Sequence, residues 1–229
     1  MNNKNISVLI PAFNEEKNII DTILGLKKIP SIKQIIVIDD GSSDSTSNLC
    51  NRLDVEIITL KKNGGKGNAL NVGSKYIIGD FIALVDGDLG LSSEELKKLI
   101  NPVVSGTVDM TIAAFPPASR KGGFGVAKKT AGWGLKFLTR EDFKAPLSGQ
   151  RFMKREVFES LLPFSSGFGV EVGMTLDAIL KGYTIREIRT DMGHEETGRN
   201  LAGFLHRGRQ LKDIFITLTK KGWRKWALS

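Results

Sequence analysis

Over the first 115 residues, short and almost uninterrupted apolar runs alternate with stretches whose apolar residues recur at helical spacing. The runs are Ile6-Ser7-Val8-Leu9-Ile10, Ile35-Ile36-Val37-Ile38, 55–60, Phe81-Ile82-Ala83-Leu84-Val85 and 110–114. Strands apolar on both faces belong to sheets buried on both faces, and those are mostly parallel. Between them, 15–28 carries Ile19, Ile20, Ile23, Leu24 and Leu26 in a helical stripe. Helices are also expected from Ser43 or Ser45 as caps to about residue 53, over 68–76, and over 92–104 behind a Ser92–Glu95 capping box. The pattern predicts an α/β fold: a Rossmann-like, mostly parallel sheet with helices on both faces. Pro11 is expected to stop the first strand. The turns after the strands then collect along one edge, where open α/β sheets bind ligands.

Beyond residue 115 the pattern loosens. Residues 116–130 read as a mobile basic loop holding Arg120, Lys121, Gly122, Gly123, Gly125, Lys128 and Lys129. A strand over 151–154, helices over 157–162 and 171–181, a strand over 183–188 and a last helix over 201–218 follow. No linker or repeat interrupts the chain, so 1–229 is expected to be one domain with 1–115 and 116–229 as its two halves. One cysteine, Cys50, excludes an internal disulfide and fits a reducing compartment. No apolar run reaches the length of a membrane span, and the N-terminus does not read as a signal peptide, which points to the cytoplasm.

The net charge of +8 falls mostly after residue 110. It ends in Lys220-Lys221-Gly222-Trp223-Arg224-Lys225-Trp226. Such a segment over 220–229 suits peripheral contact with an anionic membrane, at the inner face, as well as it suits a solvated tail. No nucleic-acid reader motif is present, so nucleic acid is not an expected partner.

The chemistry lies in the strand-end segments. Val85-Asp86-Gly87-Asp88 puts two carboxylates two residues apart, on one face if the strand alternation continues. Like charges this close call for a bridging cation or a shared proton. The other segments are Pro11-Ala12-Phe13-Asn14-Glu15, Asp39-Asp40-Gly41-Ser42-Ser43-Asp44 and Asn63-Gly64-Gly65-Lys66-Gly67-Asn68-Ala69. The glycine loop lets backbone approach a ligand closely, with Lys66 as a counter-charge. It lacks the spacing of a Walker loop.

In order and spacing, these four segments resemble the donor half of a family-2 glycosyltransferase with the GT-A fold. The resemblance implies a nucleotide-sugar site formed by Pro11, Ala12, Phe13, Glu15, Asp39, Lys66 and Asp86, with the donor UDP- or GDP-linked. It implies a Mg²⁺ or Mn²⁺ ion on Asp88. The second half, with Ala145-Pro146-Leu147-Ser148-Gly149-Gln150-Arg151, Gly167-Phe168-Gly169-Val170-Glu171-Val172-Gly173 and Met192-Gly193-His194, is similar to glucosyl-3-phosphoglycerate synthases. That likeness implies Arg151 and Glu171 as catalytic residues and His194 as a second metal ligand. The 116–134 segment departs from those enzymes.

An anionic acceptor such as a phospho-acid is therefore one expectation, and a polyprenyl phosphate at a membrane surface the other. The surplus cations Arg120, Lys121, Lys128, Lys129, Arg151, Arg199, Arg207 and Arg209 would meet it. His206 is read as structural or phosphate-facing. A homodimer is one expected assembly. A nucleotidyltransferase or a non-catalytic nucleotide-sugar sensor on the same sheet is the competing class. The segment after the first strand argues against the former and the retained metal ligands against the latter.

Overall fold

The computed structural model describes residues 4–115, 125–165, 169–193, 213 and 216–219. Seven strands form one sheet in the order β3-β2-β1-β4-β6-β5-β7. They are β1 (Ile6–Ala12), β2 (Ile32–Asp39), β3 (Glu56–Thr59), β4 (Phe81–Leu84), β5 (Met110–Ala114), β6 (Arg151–Lys154) and β7 (Ile185–Arg189). All neighbours pair in parallel except β6, which runs antiparallel to β4 and β5. The helices are α1 (Ile19–Lys27), α2 (Thr46–Cys50), α3 (Lys66–Gly73), α4 (Lys97–Val104), α5 (Gly125–Thr139), α6 (Arg155–Ser160) and α7 (Val170–Leu180).

The strand alternation explains why both faces are covered. On β1, Ile6, Val8 and Ile10 pack with Ile19, Ile23 and Leu26 of α1 and Leu99 and Val103 of α4. Leu9, on the other face, packs with Leu70 of α3, Val157 and Phe158 of α6 and Met174 of α7. Every side chain of β1 from Ile6 to Ile10 is fully buried. A strand serving two cores has no place for a polar residue unless it is satisfied, and Ser7 hydroxyl meets that condition by bonding Gln34 Oε1 and Gly79 N.

Several sequence expectations change in detail. β1 does not stop at Pro11 but runs on to Ala12, paired with β2 to Asp39. Along β1 the hydrogen bonds alternate sides: Leu9 O accepts from Val85 N and Ala12 O from Asp40 N. Pro11 thus faces the β4 side beyond the end of that strand, where a missing N–H costs nothing. The Ser92–Glu95 capping box does not form. A 3-10 helix, Gly90–Leu96, precedes α4. Ser92 hydroxyl instead donates to Leu89 O and accepts from Gly193 N, while Glu95 accepts from Asp191 N. Ser45 stands at the N-cap of α2 without a side-chain capping bond, and Asp44 Oδ1 takes the Thr46 N–H at 3.0 Å. The loop expected over 116–130 gives way to α5 from Gly125, carrying Lys128 and Lys129. Of the last expected helix, only Asp213 and 216–219 lie among the described residues; they are helical, with Thr217 and Leu218 buried. No helix among the described residues is long and apolar enough to cross a membrane.

At the opposite edge of the sheet from the strand-end turns, Asp109 ties three elements together. It accepts from Lys154 Nζ at 2.7 Å on β6 and from the backbone and hydroxyl of Thr184 before β7. Burial pushes its carboxyl up, but the Lys154 and Thr184 donors outweigh that and bring it down to about 2. A carboxyl lowered on folding stabilises the protein above its unfolded value and loses that contribution as pH falls through its folded value. Asp109→Asn should therefore cost about 2 kcal/mol at neutral pH. It should also flatten the loss of stability between pH 3.8 and pH 2. Urea unfolding across that range checks both, and parallel curves for the two proteins would remove Asp109 from the account.

Candidate functional site

The C-terminal ends of β1, β2 and β4 open onto a cleft whose walls are held by side-chain-to-backbone bonds. At the end of β2, Asp39 is buried and its Oδ1 accepts from Ser42 N at 2.9 Å. Its neighbour Asp40 reaches across to the glycine loop: Oδ1 accepts from Gly64 N at 2.9 Å and Oδ2 from Gly65 N at 2.7 Å. The loop's backbone is thus set before α3 begins at Lys66. At the end of β1, Asn14 adopts a positive φ of 57°. It is fixed there because its N–H donates to Ser42 Oγ and its Oδ1 accepts from Ser43 N. Glu15 N donates to Thr46 Oγ1. Pro11 is partly buried, Ala12 is buried, and Phe13 projects with 45% of its surface exposed.

β4 ends at Leu84, so Asp86, Gly87 and Asp88 stand in a turn, and strand alternation no longer dictates their faces. The turn is held from below by α1: Thr22 hydroxyl donates to Gly87 O at 2.8 Å and accepts from Gly90 N. From above, Glu15 packs so closely that a Cβ on Gly87 would lie 3.1 Å from its Cγ. Asp88 is half-buried in this turn.

A cation of the chain itself lies between two carboxylates of the cleft, Asp86 and Glu171. Lys66 Nζ sits 2.6 Å from Asp86 Oδ1 and 2.8 Å from Glu171 Oε1. Burial pulls the ammonium down, but the charges of Asp86 and Glu171 and its hydrogen bonds to them raise it on balance. Asp86 Oδ2 accepts in turn from Gln150 Nε2 at 3.0 Å. Gly149 seals this cluster: a Cβ there would fall 2.3 Å from Lys66 Nζ and 2.5 Å from Asp86 Oδ2.

Glu171, in the first turn of α7, is positioned by Arg151. The Arg151 guanidinium is fully buried and donates to Glu171 O, Thr175 Oγ1 and Ser148 O at 2.9–3.1 Å. Burial pulls it down to about 10, with the charges of Glu171, Glu187 and Asp86 opposing, so it stays charged at neutral pH. Arg151 therefore braces the backbone of Glu171 and the 148 turn. Glu187 on β7 holds the other end of that segment, accepting from Lys144 N and Ala145 N.

Asp40, Gly149 and Gln150 stand in segments quoted from the sequence but were given no role there; Thr22 and Glu187 carried no such signal. His194, Arg120, Lys121, Arg199, His206, Arg207, Arg209, the Gly122–Phe124 part of the glycine-rich segment and the 220–229 tail lie outside the described residues. The chain just before His194 is anchored near the Asp86–Asp88 turn by Gly193 N on Ser92 Oγ. Among the described residues, no three His, Cys, Asp or Glu side chains form a metal-holding group.

The profile of glycosyl transferase family 2 matches residues 7–162. The chain belongs to that family. A glucosyl-3-phosphoglycerate synthase from Mycobacterium tuberculosis, solved with Mn²⁺, UDP-glucose and phosphoglyceric acid, superposes with a TM-score of 0.82 and 26% identity. The match covers 96% of this chain and 80% of the synthase. The sheet with its helices is thus the GT-A glycosyltransferase fold. Glycosyltransferase AglJ of Haloferax volcanii is 26% identical over 77% of this chain and 59% of its own length. The bactoprenol glucosyl transferase of Shigella phage SfX is 30% identical over 76% of this chain and 62% of its own length. The chain thus spans about three-fifths of the length of these two curated relatives.

The cluster generates a prediction for this family-2 chain. Gly149→Ala should cost about 1–3 kcal/mol of stability by forcing a methyl into the Lys66–Asp86 contact. Denaturant unfolding measures it, and an unchanged midpoint would mean that the contact is looser than described.

Proposed function

We propose that this chain is a metal-dependent glycosyltransferase that moves a sugar from a nucleoside-diphosphate donor to a phosphate-bearing acceptor. Residues 1–115 would form the donor half and 116–229 the acceptor half of one domain. The observation that carries the reading is the charge of the cleft. Among the described residues, the one ammonium of Lys66 meets the two carboxylates of Asp86 and Glu171, and Asp88 stands two residues from Asp86. A diphosphate would be repelled by that set unless a divalent cation came with it. The donor chemistry fits a hard cation of the Mg²⁺ or Mn²⁺ kind, which keeps waters and uses one or two carboxylates plus substrate phosphates rather than an all-protein cage. Asp86 has both oxygens engaged by Lys66 and Gln150. Asp88, two residues on in the same turn, is the carboxylate that would hold the ion, with His194 as its proposed partner. When bound, the ion would neutralise charge building on the departing diphosphate.

The roles of the chain's own residues follow from their fixation. Pro11, Ala12, Phe13, Glu15 and Asp39 would line the nucleotide side. The backbone of the Asp40-pinned loop would approach the phosphates. Lys66, being committed to two carboxylates, sets the position of Asp86 and Glu171 and is no free counter-charge for the nucleotide. Glu171 Oε1 is held by Lys66, which leaves the second oxygen to accept from a sugar hydroxyl. This positioning role favours proton transfer to the leaving phosphate over a dedicated base, and with it retention.

The solved synthase complex, with its Mn²⁺, UDP-glucose and phosphoglyceric acid, supports both the donor class and a phosphorylated acceptor. Curated relatives that transfer to undecaprenyl phosphate and bactoprenol support the lipid version of the same acceptor chemistry.

Asp88→Asn should lower transfer by about 100-fold or more while the fold is kept. Excess EDTA should stop transfer in the wild type, and Mn²⁺ or Mg²⁺ should restore it. Full transfer by the variant, or in EDTA, would exclude this mechanism.

A further inference from the structure

We infer that helix α5 is an interfacial helix that docks this chain on an anionic lipid surface. The inference rests on α5 itself and stands whichever acceptor the cleft takes. One face of α5 is fully accounted for: Ala127, Ala131, Leu135 and Leu138 pack on Val172 and Leu176 of α7 and on Leu218. The opposite face carries Trp133 and Phe137, one helical turn apart, 70% and 67% exposed. Their rings stack on each other with centroids 5.7 Å apart and planes 18° from parallel. A stacked pair of large aromatics on a convex helix is a contiguous apolar ridge, unlike the scattered single hydrophobics that normal surfaces carry.

The polar residues around the ridge specify what covers it. Lys128, Lys129, Lys136 and Arg140 lie on α5 or at its end, and Lys144 follows; all five are exposed. Residues 125–144 hold five Lys and Arg against two Asp and Glu. Lys136 is 3.5 Å from Asp142, whereas no described carboxylate pairs with Lys128, Lys129 or Arg140. Aromatics flanked by cations, with an apolar opposite face already used in the core, make the pattern of a helix lying in the headgroup region. Trp is suited to that layer because its ring is apolar and its N–H can still meet polar groups. A groove-seeking protein partner would need a concave counterpart, and α5 offers a ridge. The face is linked to the cleft through α7, which packs on α5 and begins with Val170 and Glu171.

Co-sedimentation of the full chain with vesicles tests this. The chain should pellet with vesicles of equal parts phosphatidylcholine and phosphatidylglycerol, and much less with phosphatidylcholine alone. Trp133→Ser/Phe137→Ser should lower the partition about tenfold or more. Lys128→Glu/Lys129→Glu should lower it at least about fivefold per cation removed. Both variants change exposed side chains, so their melting temperatures should match the wild type. In a Trp223→Phe/Trp226→Phe background, the emission of Trp133 should shift to the blue on adding the anionic vesicles. Absence of binding to anionic vesicles would overturn the inference. So would binding lost only on removing 220–229, or a dimer that Trp133→Ser/Phe137→Ser converts to monomer without touching vesicle binding.

Discussion

The arrangement of the cleft depends on one ammonium group. Lys66 Nζ lies within 2.8 Å of both Asp86 and Glu171, and these three residues come from the start of α3, the turn after β4 and the start of α7. Without it, two carboxylates would face each other in partly buried surroundings, which is costly for charges that have left water. The consequences spread outward. A side chain at Gly149 would meet the Lys66–Asp86 pair, which would have to shift to admit it. Gln150 bonds the remaining Asp86 oxygen. Arg151 spends its buried guanidinium on the backbone that carries Glu171. Three consecutive residues thus serve the same contact from behind.

A second set of constraints fixes the nucleotide side of the cleft independently. Asp40 pins the glycine loop through two backbone N–H groups, and the segments after β1 and β2 exchange bonds through Asn14, Ser42 and Ser43. Thr22 reaches from α1 to the Asp86–Asp88 turn. None of these contacts requires a ligand to form. The site is preorganised by carboxylates and hydroxyls bonding backbone, and among the described residues the Lys66–Asp86–Glu171 cluster is one positive charge short. That shortage is the reason a divalent cation belongs in the proposed mechanism.

The sheet was legible because its signal is hydrophobic periodicity, which follows directly from burial on two faces. Ile6, Val8 and Ile10 had to meet one layer and Leu9 the other, and they do. Local termini were less legible, because hydrogen-bond partners distant in sequence override local signals: Ser92 and Glu95 bond the chain near 191–193 rather than capping a helix. The strand-end motifs carried the cleft's location, and with it Asp39, Lys66 and Asp86, while Glu171 came from the resemblance of the second half. What they could not carry was pairing. Asp86 and Asp88 are two residues apart, so a shared cation looked natural, yet Lys66 is 105 residues from its other partner, Glu171. Arg151 shows the same gap: its place in the segment was legible, but its buried bond to the Glu171 backbone was not.

A double-mutant cycle on Lys66→Met and Glu171→Gln, read by urea unfolding of the full chain, tests the central contact most directly. If the ammonium organises the cleft, the two substitutions should couple by about 1 kcal/mol or more, the double variant being less damaged than the sum of the singles. Additivity within about 0.5 kcal/mol would contradict the account, because residues without a shared interaction behave in that way.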